Sequence, residues 1–194
     1  WRALLQWLGG IGVIAMAIAI LPLLRIGGMQ LFRMESSDRS EKVLPRTTQV
    51  VAFIAFIYLG ASIVCAVAYW AAGMSRFDAI AHAMTTIATG GFSTYNASLA
   101  HFKSATIEYI CVIFMLIGSL PFVLYLRAIR GNPKPLFRDD QVRLFLLIVV
   151  IAVLALAYYR HAAGTDISTA LREAAFNVVS IITGTGYATA DYST

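Results

Sequence analysis

Phe77–Ala88 reads FDAIAHAMTTIA and runs straight into Thr89-Gly90-Gly91-Phe92-Ser93-Thr94. Further on, Ile167–Ile182 reads ISTALREAAFNVVSII and runs into Thr183-Gly184-Thr185-Gly186-Tyr187-Ala188-Thr189. The two stretches align at a shift of 95 residues: Asp78 meets Glu173, His82 meets Asn177, Thr85 meets Ser180 and Ile87 meets Ile182. Gly91 then meets Gly186, Phe92 meets Tyr187, Thr94 meets Thr189 and Asn96 meets Asp191. Upstream, with a short gap, Ala71-Ala72-Gly73 matches Ala162-Ala163-Gly164. A helix over 77–88 is about 18 Å long. The hydrocarbon core of a bilayer is about 30 Å thick, so this helix cannot cross it. It is interfacial, a loop helix, or a helix that enters the membrane and turns back.

Composition says which solvent surrounds it. Of the 194 residues, 59% are hydrophobic and 13% charged, against the roughly 25% charged residues usual in soluble domains. That excludes a soluble globule and a disordered chain. Fourteen Gly and two Cys exclude collagen-like and disulfide-scaffold classes. An integral membrane protein remains, with the lipid bilayer as its first partner. The net charge of +5 comes from basic residues gathered between apolar runs. That is the positive-inside pattern and not a nucleic-acid patch, so no nucleic acid is expected. Cys65 and Cys111 lie inside apolar runs, without histidine or carboxylate at metal-ligand spacing, and read as small buried hydrophobes.

Four segments are long and apolar enough to span: 3–24, 48–72, 104–127 and 141–160. Pro22 and Pro121 sit toward the ends of their runs, where a kink is tolerable. Arg25, Arg33, Arg39, Lys42 and Arg46 fill one connection. Arg127, Arg130, Lys134, Arg138 and Arg143 fill another. Both belong on the cytoplasmic side. Two loops on one side need an even number of crossings between them, and 48–72 and 104–127 supply two. Segment 77–88 therefore starts and ends outside, and the same parity puts 167–182 outside. Tyr69 with Trp70, and Tyr158 with Tyr159, read as aromatic belts at the outer helix ends.

The repeating unit is thus outer helix, short helix, glycine motif, inner helix. Tandem units of this kind suggest pseudo-rotational symmetry about an axis along the membrane normal. A cation entering a membrane exchanges its water shell for other oxygens, which an extended, inward-turned backbone supplies. Glycine permits the dihedrals, threonine can add a hydroxyl, and the preceding helix aims its negative end at the ion. The simpler alternative is a helix C-cap followed by an ordinary turn. The repeat, the parity and the aromatic after each glycine favour a filter.

These residues resemble the Trk/Ktr/HKT superfamily of potassium transporters, most closely its bacterial Trk-type membrane subunits. The matching motifs are QWLGGIG (Gln6–Gly12), ILPLLRIGGMQLFRMES (Ile20–Ser36), Pro45-Arg46, AGMSRFDAIAHAMTTIATGGFST (Ala72–Thr94) and NVVSIITGTGYATADY (Asn177–Tyr192). The resemblance implies an all-α integral membrane fold of tandem M1–pore helix–M2 repeats, here an incomplete ring. It assigns 1–47 to the M2 helix of repeat one and a cytoplasmic loop, 48–130 to a complete repeat two, and 131–194 to M1, pore helix and filter of repeat three. The chain opens and closes as a segment of a longer protein would.

The resemblance further implies potassium uptake across the bacterial inner membrane by a multi-pass protein that is not an enzyme. The filter would be Ala88, Thr89, Gly90, Gly91, Thr183, Gly184, Thr185 and Gly186. Backbone carbonyls of Thr89, Gly90, Gly91, Thr185 and Gly186 would hold potassium, the transported substrate, and no covalent cofactor is implied. Plant relatives with serine at one such glycine position tend to pass sodium, and glycine at 91 and 186 leans to potassium. Symport with protons or sodium is not read from these residues. A homodimer and a cytosolic nucleotide-binding regulatory subunit (Trk A-type) are the implied partners, with the basic loops, and Gly27-Gly28-Met29-Gln30 at a helix end, as family-like surface. The alternatives are a sodium-permeable member of the superfamily and a non-transporting membrane scaffold.

Other residues have plainer readings. Asp78 and Glu173 are carboxylates near helix N-termini, favoured by the dipole or lending negative charge to the outer mouth. His82 reads as a packed residue of the short helix. Arg172 reads as an outer-interface residue. Gly9-Gly10-Ile11-Gly12 lies in an apolar helix, where glycine permits close helix packing. Asp139 and Asp140 precede the fourth span and favour its N-terminus. Glu35, Asp38 and Glu41 belong to a solvated loop.

Overall fold

In a computed structural model, residues 1–20, 47–131 and 133–189 are described. The continuation of the first apolar run past residue 20, Pro22, the basic residues from Arg25 to Arg46, Gly27-Gly28-Met29-Gln30, Glu35, Asp38 and Glu41 lie outside the described residues, as does Asp191. Among the described residues every regular element is helical.

Helix α1 spans Arg2–Ile20, α2 Thr47–Ala71 and α3 Arg76–Ile87. A short 3-10 turn over Ser98–Phe102 leads to α4 (Ala105–Ser119), α5 (Phe122–Ile129), α6 (Lys134–Arg138), α7 (Asp140–Ala162) and α8 (Ile167–Ile182). By length and composition Val50–Ala71 and Asp140–Ala162 can cross a bilayer. Both present large apolar side chains on their surfaces: Phe56 on α2 is 72% exposed. A membrane tolerates that surface, whereas water would penalise it at about 25 cal/mol per Å².

The expected span over 104–127 is not one helix. It breaks at Leu120-Pro121 into α4 and α5, which bend by 91°. Pro121 lacks the N–H that would continue α4, and serves as N-cap of α5. α4 reaches the end of α3 through Gly118, where a Cβ would lie 2.7 Å from the Ile87 carbonyl oxygen. The elbow is closed by the Tyr125 hydroxyl, which donates to the Ile117 carbonyl at 2.9 Å.

α1 docks on α2 and α3. The Tyr58 hydroxyl donates to the Trp7 carbonyl (3.0 Å), and Trp7 Nε1 donates to Ser62 Oγ (2.8 Å). Of the glycines expected to carry close packing in α1, Gly10 does: a Cβ there would meet Tyr58 Oη at 2.7 Å and Ala88 Cβ at 3.3 Å. Gly9 and Gly12 face open space. Cys65 and Cys111 are free and buried in the core. Tyr69, expected at the lipid interface, is buried instead and shares a hydrogen bond with Thr86 Oγ1 (3.0 Å), while Trp70, Tyr158 and Tyr159 are exposed. The two short helices, α3 and α8, thus lie against α1, α2 and α4, and against α4 and α7, respectively.

Candidate functional site

α3 is built by its own residues. Ser75 is the N-cap: its Oγ accepts from the Asp78 N–H (3.1 Å) and donates to Asp78 Oδ2 (2.7 Å). α8 is capped by Asp166, whose Oδ2 accepts from the N–H groups of Ser168 (3.1 Å) and Thr169 (3.4 Å). Asp166, an aspartate just before an apolar helix, and not Glu173, is the carboxylate that caps this N-terminus. The same device starts α7, where Asp139 Oδ1 accepts from Gln141 N (3.0 Å) and Val142 N (3.2 Å).

Both helices end alike. Ala88 and Thr183 are the C-caps, with φ/ψ of −74/−4° and −76/−10°. Thr89 and Gly184 follow in the left-handed region (φ 49° and 74°), then Gly91 and Gly186 (φ 68° and 84°). These pairs are the ones aligned by the 95-residue shift. The helix hydroxyls obey it too: Thr85 Oγ1 donates to the Phe92 carbonyl (2.9 Å), and Ser180 Oγ to the Tyr187 carbonyl (2.7 Å). The Gly91 N–H donates to the Thr85 carbonyl (3.4 Å) and the Gly186 N–H to the Ser180 carbonyl (3.1 Å). His82 Nδ1 pairs with the Asp78 carbonyl (2.8 Å), and Asn177 Nδ2 donates to the Glu173 carbonyl (2.8 Å). One scaffold is therefore built twice from different side chains.

The two glycine motifs meet. A Cβ on Gly91 would lie 1.8 Å from the Thr185 carbonyl oxygen, so that oxygen occupies the space a side chain would need. Ala88, Thr89, Gly90 and Gly91 are half-buried, Thr185 is buried, and Gly184 and Gly186 are exposed. Side chains of α8 and its loop hold one another: Thr183 Oγ1 donates to the Val179 carbonyl (2.7 Å) and pairs with Thr185 Oγ1 (2.7 Å). The Gly90 carbonyl, one of the oxygens expected to meet the ion, accepts from Gln6 Nε2 at 2.9 Å. Gln6, which in the sequence stands out only as part of the QWLGGIG motif, reaches the glycines with its amide from α1, across 84 residues of chain.

Tyr187 is buried, with its ring 6.2 Å from that of His82 in α3. Its hydroxyl donates to Thr85 Oγ1 and lies 3.2 Å from the His82 carbonyl. The segment after it is tied to the 3-10 turn: the Ala100 N–H donates to the Ala188 carbonyl (3.3 Å), and the Ala188 N–H to Ser98 Oγ (3.2 Å). His82 is packed as expected, fully buried, with Nε2 against Ser93 Oγ (2.9 Å).

Neither acid is an open charge at the mouth. Asp78 accepts from Ser75, from Thr94 Oγ1 (2.8 Å) and from the Tyr95 hydroxyl (3.0 Å). Burial pushes its carboxyl up, but the bonds from Ser75, Thr94 and Tyr95 outweigh burial and hold it below the ordinary value. Glu173 is ion-paired with Arg160 of α7. Arg172 faces Glu108 of α4 at 3.5 Å, an ion pair between the two units.

The sequence matches known proteins end to end. The family profile described as TrkH, cation transport protein, matches residues 1–194. The Trk system potassium uptake protein TrkI of Halomonas elongata is 50% identical across the whole chain, which covers 39% of that protein. The Trk system potassium uptake protein TrkH of Vibrio parahaemolyticus is 42% identical, again across the whole chain and 41% of that protein. The crystal structure of the potassium transporter TrkH from Vibrio parahaemolyticus superposes with a TM-score of 0.83 at 39% identity, covering 97% of this chain and 38% of that one. The chain thus spans about two fifths of the length of the curated relatives it matches. Matched along its whole length in sequence, and in fold over nearly all of it, the chain belongs to the TrkH family of cation transport proteins.

Proposed function

We propose that this chain forms part of a potassium uptake pathway across the bacterial inner membrane, with Ala88–Gly91 and Thr183–Gly186 as two strands of one selectivity filter. The carrying observation is the meeting of the two motifs at Gly91 and the Thr185 carbonyl, each motif standing at the C-terminal end of its own short helix. Backbone oxygens of Thr89, Gly91, Thr185 and Gly186 replace the water shell of the ion, and the helix ends supply partial negative charge. The Gly90 oxygen is anchored to α1. The names of the relatives support potassium as the transported ion.

In the same reading, 1–47 is the M2 helix of a first repeat with its loop, 48–130 a complete second repeat, and 131–194 the beginning of a third. The protein is multi-pass, works as a homodimer, and meets a cytosolic nucleotide-binding subunit at its basic connections. Charge reversal at Lys134 and Arg138 should weaken that subunit's binding in a co-purification; unchanged binding removes this face from the proposal.

The central test is potassium and sodium flux in proteoliposomes holding a full-length protein with this sequence, beside its Gly91→Ser variant. A hydroxymethyl group at 91 lands on the Thr185 carbonyl and strains a left-handed residue. Potassium flux should dominate in the parent and lose its dominance in the variant. Dominant sodium flux in the parent would favour the sodium-permeable alternative. Flux of neither ion, or an unaltered preference in a folded variant, would favour the scaffold.

A further inference from the structure

We propose that Gln6 is a positioning residue for the Thr89–Gly91 filter strand, setting the direction of its carbonyls from outside it. The inference rests on the filter reading above. Gln6 belongs to α1, and its half-buried amide uses both ends: Nε2 donates to the Gly90 carbonyl at 2.9 Å, and Oε1 accepts from the Phe92 N–H at 3.3 Å. The partners decide which end is which, because a carbonyl only accepts and a backbone N–H only donates. The two bonds straddle Gly91. Space is reserved for them: a Cβ on Gly90 would lie 2.5 Å from Gln6 Oε1 and 2.6 Å from Gln6 Cδ.

The consequence follows from peptide geometry. In a planar trans peptide the N–H and C=O point in opposite directions. Holding the Phe92 N–H against α1 turns the Gly91 carbonyl away from α1. Holding the Gly90 carbonyl against α1 turns the Gly91 N–H toward α3, where the Thr85 carbonyl lies 3.4 Å from it. Thr85 Oγ1 takes the next carbonyl, that of Phe92. Of three successive oxygens, those of Gly90 and Phe92 are tied back to helices, and the Gly91 oxygen is directed into the space between units. Without the amide, Gly90 and Gly91 can rotate their peptide planes at little cost, since glycine tolerates many dihedrals.

The test uses a full-length protein with this sequence in proteoliposomes, measuring the potassium-to-sodium preference and the half-saturating potassium concentration per folded molecule. Gln6→Glu keeps the shape and the acceptor but sets a carboxylate oxygen against the Gly90 carbonyl. Gln6→Met keeps the length and removes both bonds. Both should lower the preference and raise half-saturation by about fivefold, the scale of one lost hydrogen bond. Lowering the pH should restore Gln6→Glu, relative to the parent at the same pH, because the protonated carboxyl regains a donor. Gln6→Met should show no such recovery. If both variants keep the parent's preference and half-saturation while Gly91→Ser loses them, the filter reading stands and the role of Gln6 is overturned. If the variants change only the amount of folded protein, Gln6 is structural and the proposal fails. If Gly91→Ser is silent as well, the filter reading itself has failed.

Discussion

The two glycine motifs share one scaffold and are held in place by different neighbours. The motif at 89–92 leans on α1 through the Gln6 amide and packs its Phe92 ring under the Arg2 guanidinium, 5.9 Å from the ring centroid. The motif at 184–187 leans on α3 through the Tyr187 phenol and on the 3-10 turn through Ala188. Each motif is therefore fastened by an element that precedes its own short helix in the chain. In the proposed pore such outside support is required, because a non-helical backbone at membrane depth survives only where protein or a watered cavity satisfies its polar groups. The repeat specifies the turn, and the neighbour specifies its tether.

The contrast predicts unequal glycines. Gly91→Ala should be the most damaging single change, because its Cβ would overlap the Thr185 carbonyl and its φ is positive. Gly186→Ala has the positive φ but open space, and should cost only the left-handed penalty of about 1–2 kcal/mol. Thermal unfolding of the purified variants checks this, and equal losses would mean that the two motifs do not touch as described.

Next in size is Tyr187→Phe, which leaves buried oxygens of Thr85 and His82 without the phenol. We expect a loss of about 1–3 kcal/mol. Phe92→Tyr, the reciprocal change, should gain nothing, since the tether of that motif is Gln6. A gain of comparable size would show that the fastening follows the aromatic and not the neighbour.

Thr85→Val should then cost more than Ser180→Ala. Both lose a bond to a carbonyl of the following glycine loop, about 1 kcal/mol each, but Thr85 also meets Tyr187. Hydrogen exchange of the two loops would register the difference, and identical protection would argue against the cross-unit bond.

The smallest effect concerns acid. Asp78 sits below its ordinary value, so its contribution to stability is complete above the range where the unfolded carboxyl titrates. That contribution is lost as the pH falls through the folded value. Asp78→Asn should therefore be slightly less stable at neutral pH and show a shallower acid decline. An unchanged acid profile would mean that the three hydroxyl donors do not favour the charged form.

Much of the local geometry around the glycine motifs could be read from the residues. The short helices, both C-caps and the left-handed pairs fell at the aligned positions, and α8 matched its expected bounds of Ile167–Ile182. Apolar runs, capping residues and glycines act within a few residues of themselves, so a linear reading reaches them. The break at Pro121 was visible as a proline but not as a 91° bend, because a proline alone does not say whether a neighbour will take up the bent half.

The sequence by itself determined a membrane-embedded helical protein with a duplicated short-helix and glycine unit, since hydrophobicity, charge and turn chemistry are local properties. Only the tertiary structure decided what those units touch. It turned Tyr69 inward to Thr86, matched Glu173 with Arg160, brought Gln6 to a glycine motif 84 residues away, and brought Tyr187 to Thr85 of α3, 102 residues away. A hydrogen bond forms between groups that meet, and which groups meet depends on how whole helix faces pack.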